Sequence, residues 1–170
     1  TCDNGDCHGP APHDLAVLDH HAKRVNCTVC HIPEYAKEAP TDMFRDWSNV
    51  HYNEEKGKYV YHQEMASNVQ PEYAWFNGTS KAQFPKTPVK KNDKGQVVLV
   101  KPKGSKEDPK SKIHAFKIHK GRLPILNKEQ WLLPLNTEGI YKHGDPEKGV
   151  RDAAKHFYGI ENPEYTWTDT

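Results

Sequence analysis

The chain has 170 residues, and its 24 Lys and Arg residues nearly balance its 23 Asp and Glu residues. This balance gives no polybasic nucleic-acid-binding signature, and no apolar run is long enough to form a transmembrane segment. The mean hydropathy of −0.96 and the 35% apolar fraction indicate that the chain buries too little apolar surface to offset its ordering entropy by itself. Another source of core is therefore required.

The first half of the chain is predicted to contain little regular structure. Apolar residues at helical spacing within 14–25 predict a short helix, with Asp14 as its N-cap. Residues 32–57 are predicted to be loop with one or two helical turns. A short strand is expected at 59–61, and an aromatic loop at 70–78.

Two hairpins are predicted in the second half. One spans 89–100 around a turn at 92–95, and the other spans 123–133 around a turn at 127–130. Residues 113–119 are expected to be extended.

The clearest helix is predicted at 146–158. Asp145 is its expected N-cap, Pro146 occupies its first turn, and Gly159 follows its last turn. Four residues form the expected buried stripe: Val150, Ala153, Ala154 and Phe157.

All four cysteines lie in residues 1–31, and the second pair has the form C-x-x-C-H at Cys27, Cys30 and His31. This is the attachment signature of a c-type heme. Two thiols at this spacing add to the two vinyl groups of the porphyrin. The adjacent histidine then lies under the iron as its proximal ligand.

The first pair is a longer form of the same motif. Cys2 and Cys7 enclose four residues, and His8 follows directly. Gly5 allows the enlarged loop to bulge without strain. The sequence therefore predicts two heme c groups, with His8 and His31 as proximal iron ligands.

A four-cysteine zinc site and two disulfides are the alternatives. Neither requires a histidine directly after the second cysteine of both pairs, so the hemes are favoured. Hemes would also provide the missing core. The expected fold is a mostly irregular multiheme cytochrome c fold with short helices and a few short β-hairpins. One diheme domain is predicted over 1–170, with the heme motifs in 1–31 and a heme-covering segment with distal ligands in 32–170.

Histidine is unusually frequent, with 11 residues, and this favours histidine as the distal ligand of each iron. Pro10 and Pro12 stiffen the segment before His13, which is expected to reach a neighbouring heme more easily than the heme of His8. His21 lies on the predicted linking helix. The remaining candidates are His20, His51, His62, His114, His119, His143 and His156, with Met43 and Met65 as weaker options.

Several strings resemble the octaheme tetrathionate reductase family, and together they run over most of the chain. They are Cys2 to His13, His21 to Ala36, Asp46-Trp47-Ser48, Pro71 to Gly78 and Phe116 to Pro124. The resemblance implies the middle segment of such a protein, in the periplasm or outside the cell. It also implies that His13, His21 and His119 are distal ligands, whereas His20, His62 and His114 are weaker candidates.

The chain departs from that family because it has two heme motifs instead of eight. It begins one residue before the first heme cysteine, which predicts a processed start or a fragment of a longer protein. Three family-like distal histidines also exceed two vacant iron positions. The surplus ligand is expected to serve a heme in another subunit or in the rest of a longer chain, as in an oligomer or filament.

Three functions are consistent with the sequence. The favoured one is electron transfer through two bis-His hemes of low potential, with other cytochromes or redox proteins as partners. The alternative is a segment of a multiheme reductase that acts on sulfur or nitrogen oxyanions at an open or Lys-ligated heme. A zinc-binding module is the third and least favoured.

Overall fold

The computed structural model describes residues 5–9 and 11–170 and confirms the predicted fold class. Its elements are short and are joined by irregular segments. No helix among the described residues is long and apolar enough to cross a membrane. The elements are α1 (Ala16–Ala22), α2 (Cys27–His31), β1 (Thr41–Asn53), β2 (Lys58–Ala66), β3 (Glu72–Phe76), β4 (Ser80–Ala82), β5 (Val100–Pro102), β6 (Lys112–Phe116), β7 (Lys120–Leu126), α3 (Thr137–His143), α4 (Pro146–Ala153) and β8 (Tyr165–Asp169).

The chain divides into two compact units, each assembled from separate stretches of sequence. The first contains the described residues up to Thr41, Ser67–Lys81 and Lys101–Ile118. The second contains three stretches: Asp42–Ala66, Ala82–Val100 and His119–Thr170. The assignment of one diheme domain to 1–170 stays a prediction.

The first unit is built on a two-stranded sheet, and its described residues form no apolar core. Strand β3 pairs antiparallel with β6, so that Glu72 lies opposite Phe116 and Phe76 opposite Lys112. Ser111 is the one buried residue among those the structure describes in this unit. The low apolar content of the sequence therefore has its clearest consequence in this unit, where no apolar side chain among the described residues is buried.

The second unit holds the apolar core. Its four-stranded sheet has the order β2-β1-β7-β8, with β1 parallel to β7 and β7 antiparallel to β8. Helix α4 packs beside it through Val150 and contributes to a buried cluster. The buried apolar residues that the structure describes all belong to this unit: Val97, Ile125, Leu126, Leu133, Ile140, Val150, Ala153 and Ala154.

The hairpin predicted over 123–133 is present. The Leu126 N–H donates to the Trp131 carbonyl at 2.9 Å, and the Leu133 N–H donates to the Pro124 carbonyl at 2.9 Å. The hairpin predicted over 89–100 is reduced to a turn closed by one bridge between Lys91 and Val97. The expected strand at 59–61 lies in β2. Of the expected extended segment 113–119, the residues up to Phe116 lie in β6 and the last three lie in no strand.

The predicted C-terminal helix is confirmed except at its end. The Asp145 side chain accepts from the Lys148 N–H, Pro146 lies in the first turn, and Gly159 ends the helix with a φ of 73°. Phe157 was expected to be buried but is 60% exposed. The reason is a π-helical turn over Ala154–Tyr158, because its i→i+5 bonds rotate the later residues away from the stripe.

Three local predictions were wrong. Residues 32–57 contain the long strand β1, and residues 70–78 contain β3. Pairing with β7 and β6 outweighs the polar, loop-like composition of these segments, as context often does for strands. The N-cap of α1 is Leu15 instead of Asp14, and it makes no side-chain capping bond.

Gly144→Ala is expected to lower the free energy of unfolding by more than the usual cost of placing alanine at a left-handed φ. Gly144 ends α3 at φ 65°, and an added Cβ would overlap the ring of Tyr59. The matched control is Gly159→Ala, which has a φ of 73° and no atom within 4 Å of the added Cβ. The control should lose about 1–2 kcal/mol, and Gly144→Ala more. Urea unfolding followed by circular dichroism measures both, and equal losses would contradict the clash.

Candidate heme-binding site

The second cysteine motif forms a single helical turn, α2. Its i, i+3 spacing places Cys27 and Cys30 on the same side of that turn, with His31 at its end. Cys27 is half-buried, and Cys30 and His31 are exposed. The Asn26 side chain caps the turn by accepting from the Thr28 N–H at 3.1 Å. The motif is thus a defined turn with its thiols and imidazole accessible.

Backbone hydrogen bonds fasten this turn to strand β6. The Asn26 N–H donates to the Ile113 carbonyl at 2.9 Å, and the Ile113 N–H donates to the Arg24 carbonyl at 2.8 Å. Val25 and Ile113 form a parallel bridge. The turn therefore starts from a fixed edge of the two-stranded sheet.

Arg24 extends this anchoring into the loop before β6. Its guanidinium lies 4.8 Å from the Trp75 ring centroid and donates to the Asp108 carbonyl at 3.2 Å. The Asp108 carboxylate accepts from the Asn77 amide at 2.9 Å and from the Ser111 hydroxyl at 3.0 Å. These bonds, with Asn77 the largest contributor, hold the pKa of Asp108 below its ordinary value. A charged polar network thus takes the place of an apolar core around the motif.

The first motif is described in part. Cys7 and His8 are exposed, while Cys2 lies outside the described residues. The Gly5 N–H donates to the His8 carbonyl at 3.2 Å. Gly5 has a φ of 80°, a conformation that glycine adopts without strain.

One distal candidate lies against one proximal candidate. The ring centroids of His13 and His31 are 6.2 Å apart, and the ring planes are 18° from parallel. His13 Nδ1 lies 3.0 Å from Asp19 Oδ1. A carboxylate oxygen can only accept, so Nδ1 carries the proton and Nε2 is the nitrogen with a free lone pair.

Other distal candidates are placed differently. His20 and His21 lie exposed in the last turn of α1. In the second unit, His62 is exposed on β2. His119 is exposed just before β7, and its Nδ1 lies 3.2 Å from the Asp42 carbonyl. A carbonyl also only accepts, so the Nε2 of His119 is the available nitrogen.

His114 is enclosed by aromatic rings. It meets Phe76 edge-on, with ring centroids 5.2 Å apart and planes at 86°. Burial, and to a smaller extent the charge of Lys112, lower the pKa of His114. The neutral imidazole is therefore favoured, which suits both a metal ligand and a packed ring.

The residues around α1 and α2 fit a bound heme. Neither helix buries a residue. Leu15 is 55% exposed, Leu18 42% and Ile32 40%, and a porphyrin is a large apolar surface that could cover them. Within residues 5–9 and 11–170, no three His, Cys, Asp or Glu side chains gather as metal ligands.

Sequence reasoning missed two residues of this site, Asp19 and Arg24. Asp19 stands six positions after His13, which matches no regular helical spacing. The one available signal was chemical, because a histidine that binds a metal often has a carboxylate or carbonyl partner on its other nitrogen. Arg24 gave no signal, since its partners lie far along the chain.

Comparisons with known proteins agree with the motifs. A family model for bacterial cytochrome c matches residues 33–170, and the chain therefore belongs to that family. The crystal structure of octaheme cytochrome c from Shewanella oneidensis is similar to this chain, with 29% identity and a TM-score of 0.79. The match covers 99% of this chain and 42% of that one. No curated protein matches the chain.

The chain is a multiheme c-type cytochrome that takes part in electron transfer through heme iron. The predicted resemblance to an octaheme family is confirmed. The family model begins at residue 33, after both cysteine motifs, so the match does not depend on those motifs. The chain spans less than half the length of the octaheme cytochrome.

Asn26→Ala is expected to lower the free energy of unfolding by about 1 kcal/mol, the usual cost of losing an N-cap. The Thr28 N–H would lose its side-chain acceptor, while the backbone bond of Asn26 to β6 would remain. Asn26→Asp keeps an acceptor and serves as the control. Urea unfolding of the heme-loaded protein measures both variants. A loss as large in Asn26→Asp as in Asn26→Ala would contradict the capping role.

Proposed function

We propose that the chain carries single electrons through two covalently bound hemes. Cys2 and Cys7 would attach one, with His8 as proximal ligand. Cys27 and Cys30 would attach the other, with His31 as proximal ligand. Heme c supplies reversible one-electron iron chemistry when it is bound.

The proposal depends most on the pair His13 and His31. A metal–imidazole nitrogen bond is about 2 Å long and the nitrogen lies roughly 1 Å from its ring centre, so two imidazoles on opposite sides of one metal have centroids about 6 Å apart. The observed separation is 6.2 Å with nearly parallel planes. His13 also keeps Nε2 available. This supports His13 and His31 as the axial ligands of one heme.

Two histidine ligands leave no open position for a substrate, which favours an electron carrier over an enzyme. They also lack the methionine thioether that raises the potential, so we propose low potentials for both hemes. Electrons would come from and go to other redox proteins. Bacterial cytochromes c are typically exported, and we place this chain in the periplasm or outside the cell.

His13→Ala tests the axial pair. A pyridine hemochrome assay should first give two hemes per chain. Electron paramagnetic resonance of the oxidised wild type should then show only low-spin iron. In His13→Ala roughly half of the iron should become high-spin, because one heme in two loses a ligand, and added imidazole should reverse the change.

The matched control is His51→Ala, an exposed histidine on β1 outside the heme motifs. It should leave all iron low-spin. A His13→Ala protein that stays low-spin would contradict the axial role of His13. High-spin iron in the wild type that responds to nitrite or hydroxylamine would instead support the alternative, a segment of a multiheme reductase.

His21 and His119 are the proposed candidates for the remaining distal position. His119 resembles His13 because its Nδ1 is held by an acceptor. His21 is exposed at the end of α1. Since one position remains for two candidates, we propose that one of them binds a heme of another subunit or of a longer protein. The 42% coverage of the octaheme cytochrome supports a unit of a longer heme chain.

Light scattering coupled to size-exclusion chromatography tests this assembly. We expect a mass above that of one heme-loaded chain, and we expect His119→Ala or His21→Ala to reduce it. His143→Ala, which changes an exposed histidine at the end of α3, is the control and should not alter the mass. A monomer with all iron low-spin would rule out ligation across subunits.

A further inference from the structure

Asp19 makes two hydrogen bonds to His13 through a single oxygen. Its Oδ1 accepts from the His13 backbone N–H at 3.1 Å and from the ring Nδ1 at 3.0 Å. The Asp19 side chain is 19% exposed and that of His13 is 31% exposed. The pair is partly shielded from solvent, so salt screens it less than an open surface pair.

This geometry fixes both the tautomer and the direction of the ring. Because Oδ1 only accepts, the proton stays on Nδ1 and the lone pair on Nε2. Two bonds from the backbone and the ring of the same residue to one oxygen restrict rotation about the His13 side chain. Asp19 lies in the middle of α1, so the restraint is carried by a helix instead of a loose segment.

A carboxylate on the far nitrogen of an imidazole also changes the metal. It raises the basicity of the ligand, and partners of this kind typically alter metal binding by 10- to 100-fold. Reduction adds one negative charge to the site and makes or breaks no bond. The fixed charge of Asp19 opposes that added charge and so favours the oxidised state.

We propose that Asp19 is a positioning residue that orients His13 as an Nε2 ligand and lowers the reduction potential of the heme attached at Cys27 and Cys30. The inference rests on the proposed function, since it takes His13 as an axial ligand. Under this proposal the reduction potential of that heme is set partly by Asp19, a residue outside both cysteine motifs.

Asp19→Asn tests the inference by removing the charge while keeping the shape. Protein-film voltammetry and a spectroscopic redox titration should show one of the two heme potentials rising. A tenfold shift of the one-electron equilibrium corresponds to about 59 mV, and we expect a shift of at least that size. The second heme should keep its wild-type potential, and the iron should stay low-spin.

Asp14→Asn is the matched control, because it removes the same charge from an exposed residue just before α1. A potential shift that is equal in the two variants, or absent in both, would overturn the role of Asp19. Asp19→Glu restores the charge and should bring the potential back toward the wild type. If Asp19→Asn does not acquire heme, Asp19→Ser replaces it, since it also removes the charge from a short side chain.

The His13→Ala experiment separates this inference from the one it rests on. If His13→Ala produces high-spin iron and Asp19→Asn leaves the potential unchanged, the axial pair stands and the role of Asp19 fails. If His13→Ala stays low-spin, the axial pair fails first and the role of Asp19 fails with it. A potential shift with Asp19→Asn after a positive His13→Ala result supports both.

Discussion

The unit that carries both cysteine motifs has no buried apolar side chain among its described residues. Hydrogen bonds hold its parts in place: the β3–β6 ladder, the contacts of Arg24 and the network around Asp108. Such bonds each contribute little net stability. A heme attached at the cysteine motifs would supply the apolar surface that these residues lack.

The sequence predicted the features that local chemistry determines. The Asp145 cap and the final Gly159 each depend on neighbours in the chain, and the structure contains them. The sequence did not predict strand β1, because the residues of that strand are mostly polar and the strand is stabilised by its pairing with β7. The exposure of Phe157 was missed because a π-helical turn leaves no clear pattern in the sequence.

The residues of the candidate site also fall into those that the sequence predicted and those that it did not. Residue type and spacing were enough to predict roles for Cys27, Cys30 and His31, whereas the family resemblance was needed to favour His13 among the other histidines. The partner of His13 could not be found that way, since Asp19 is chosen by the fold of the segment between them. His119 shows the same arrangement with a backbone carbonyl in place of a carboxylate. Both histidines are thus held through Nδ1, by a carboxylate in one case and a backbone carbonyl in the other, and only the three-dimensional structure reveals this.

The hydrogen bonds between the start of α2 and strand β6 join parts of the chain that are synthesised at different times. Asn26 and Ile113 are hydrogen-bonded, but a growing chain exposes its first 31 residues long before residue 113 exists. Contacts between residues so distant in sequence also form late in folding. The thiols of Cys27 and Cys30 are thus synthesised well before strand β6, the strand to which their turn is hydrogen-bonded.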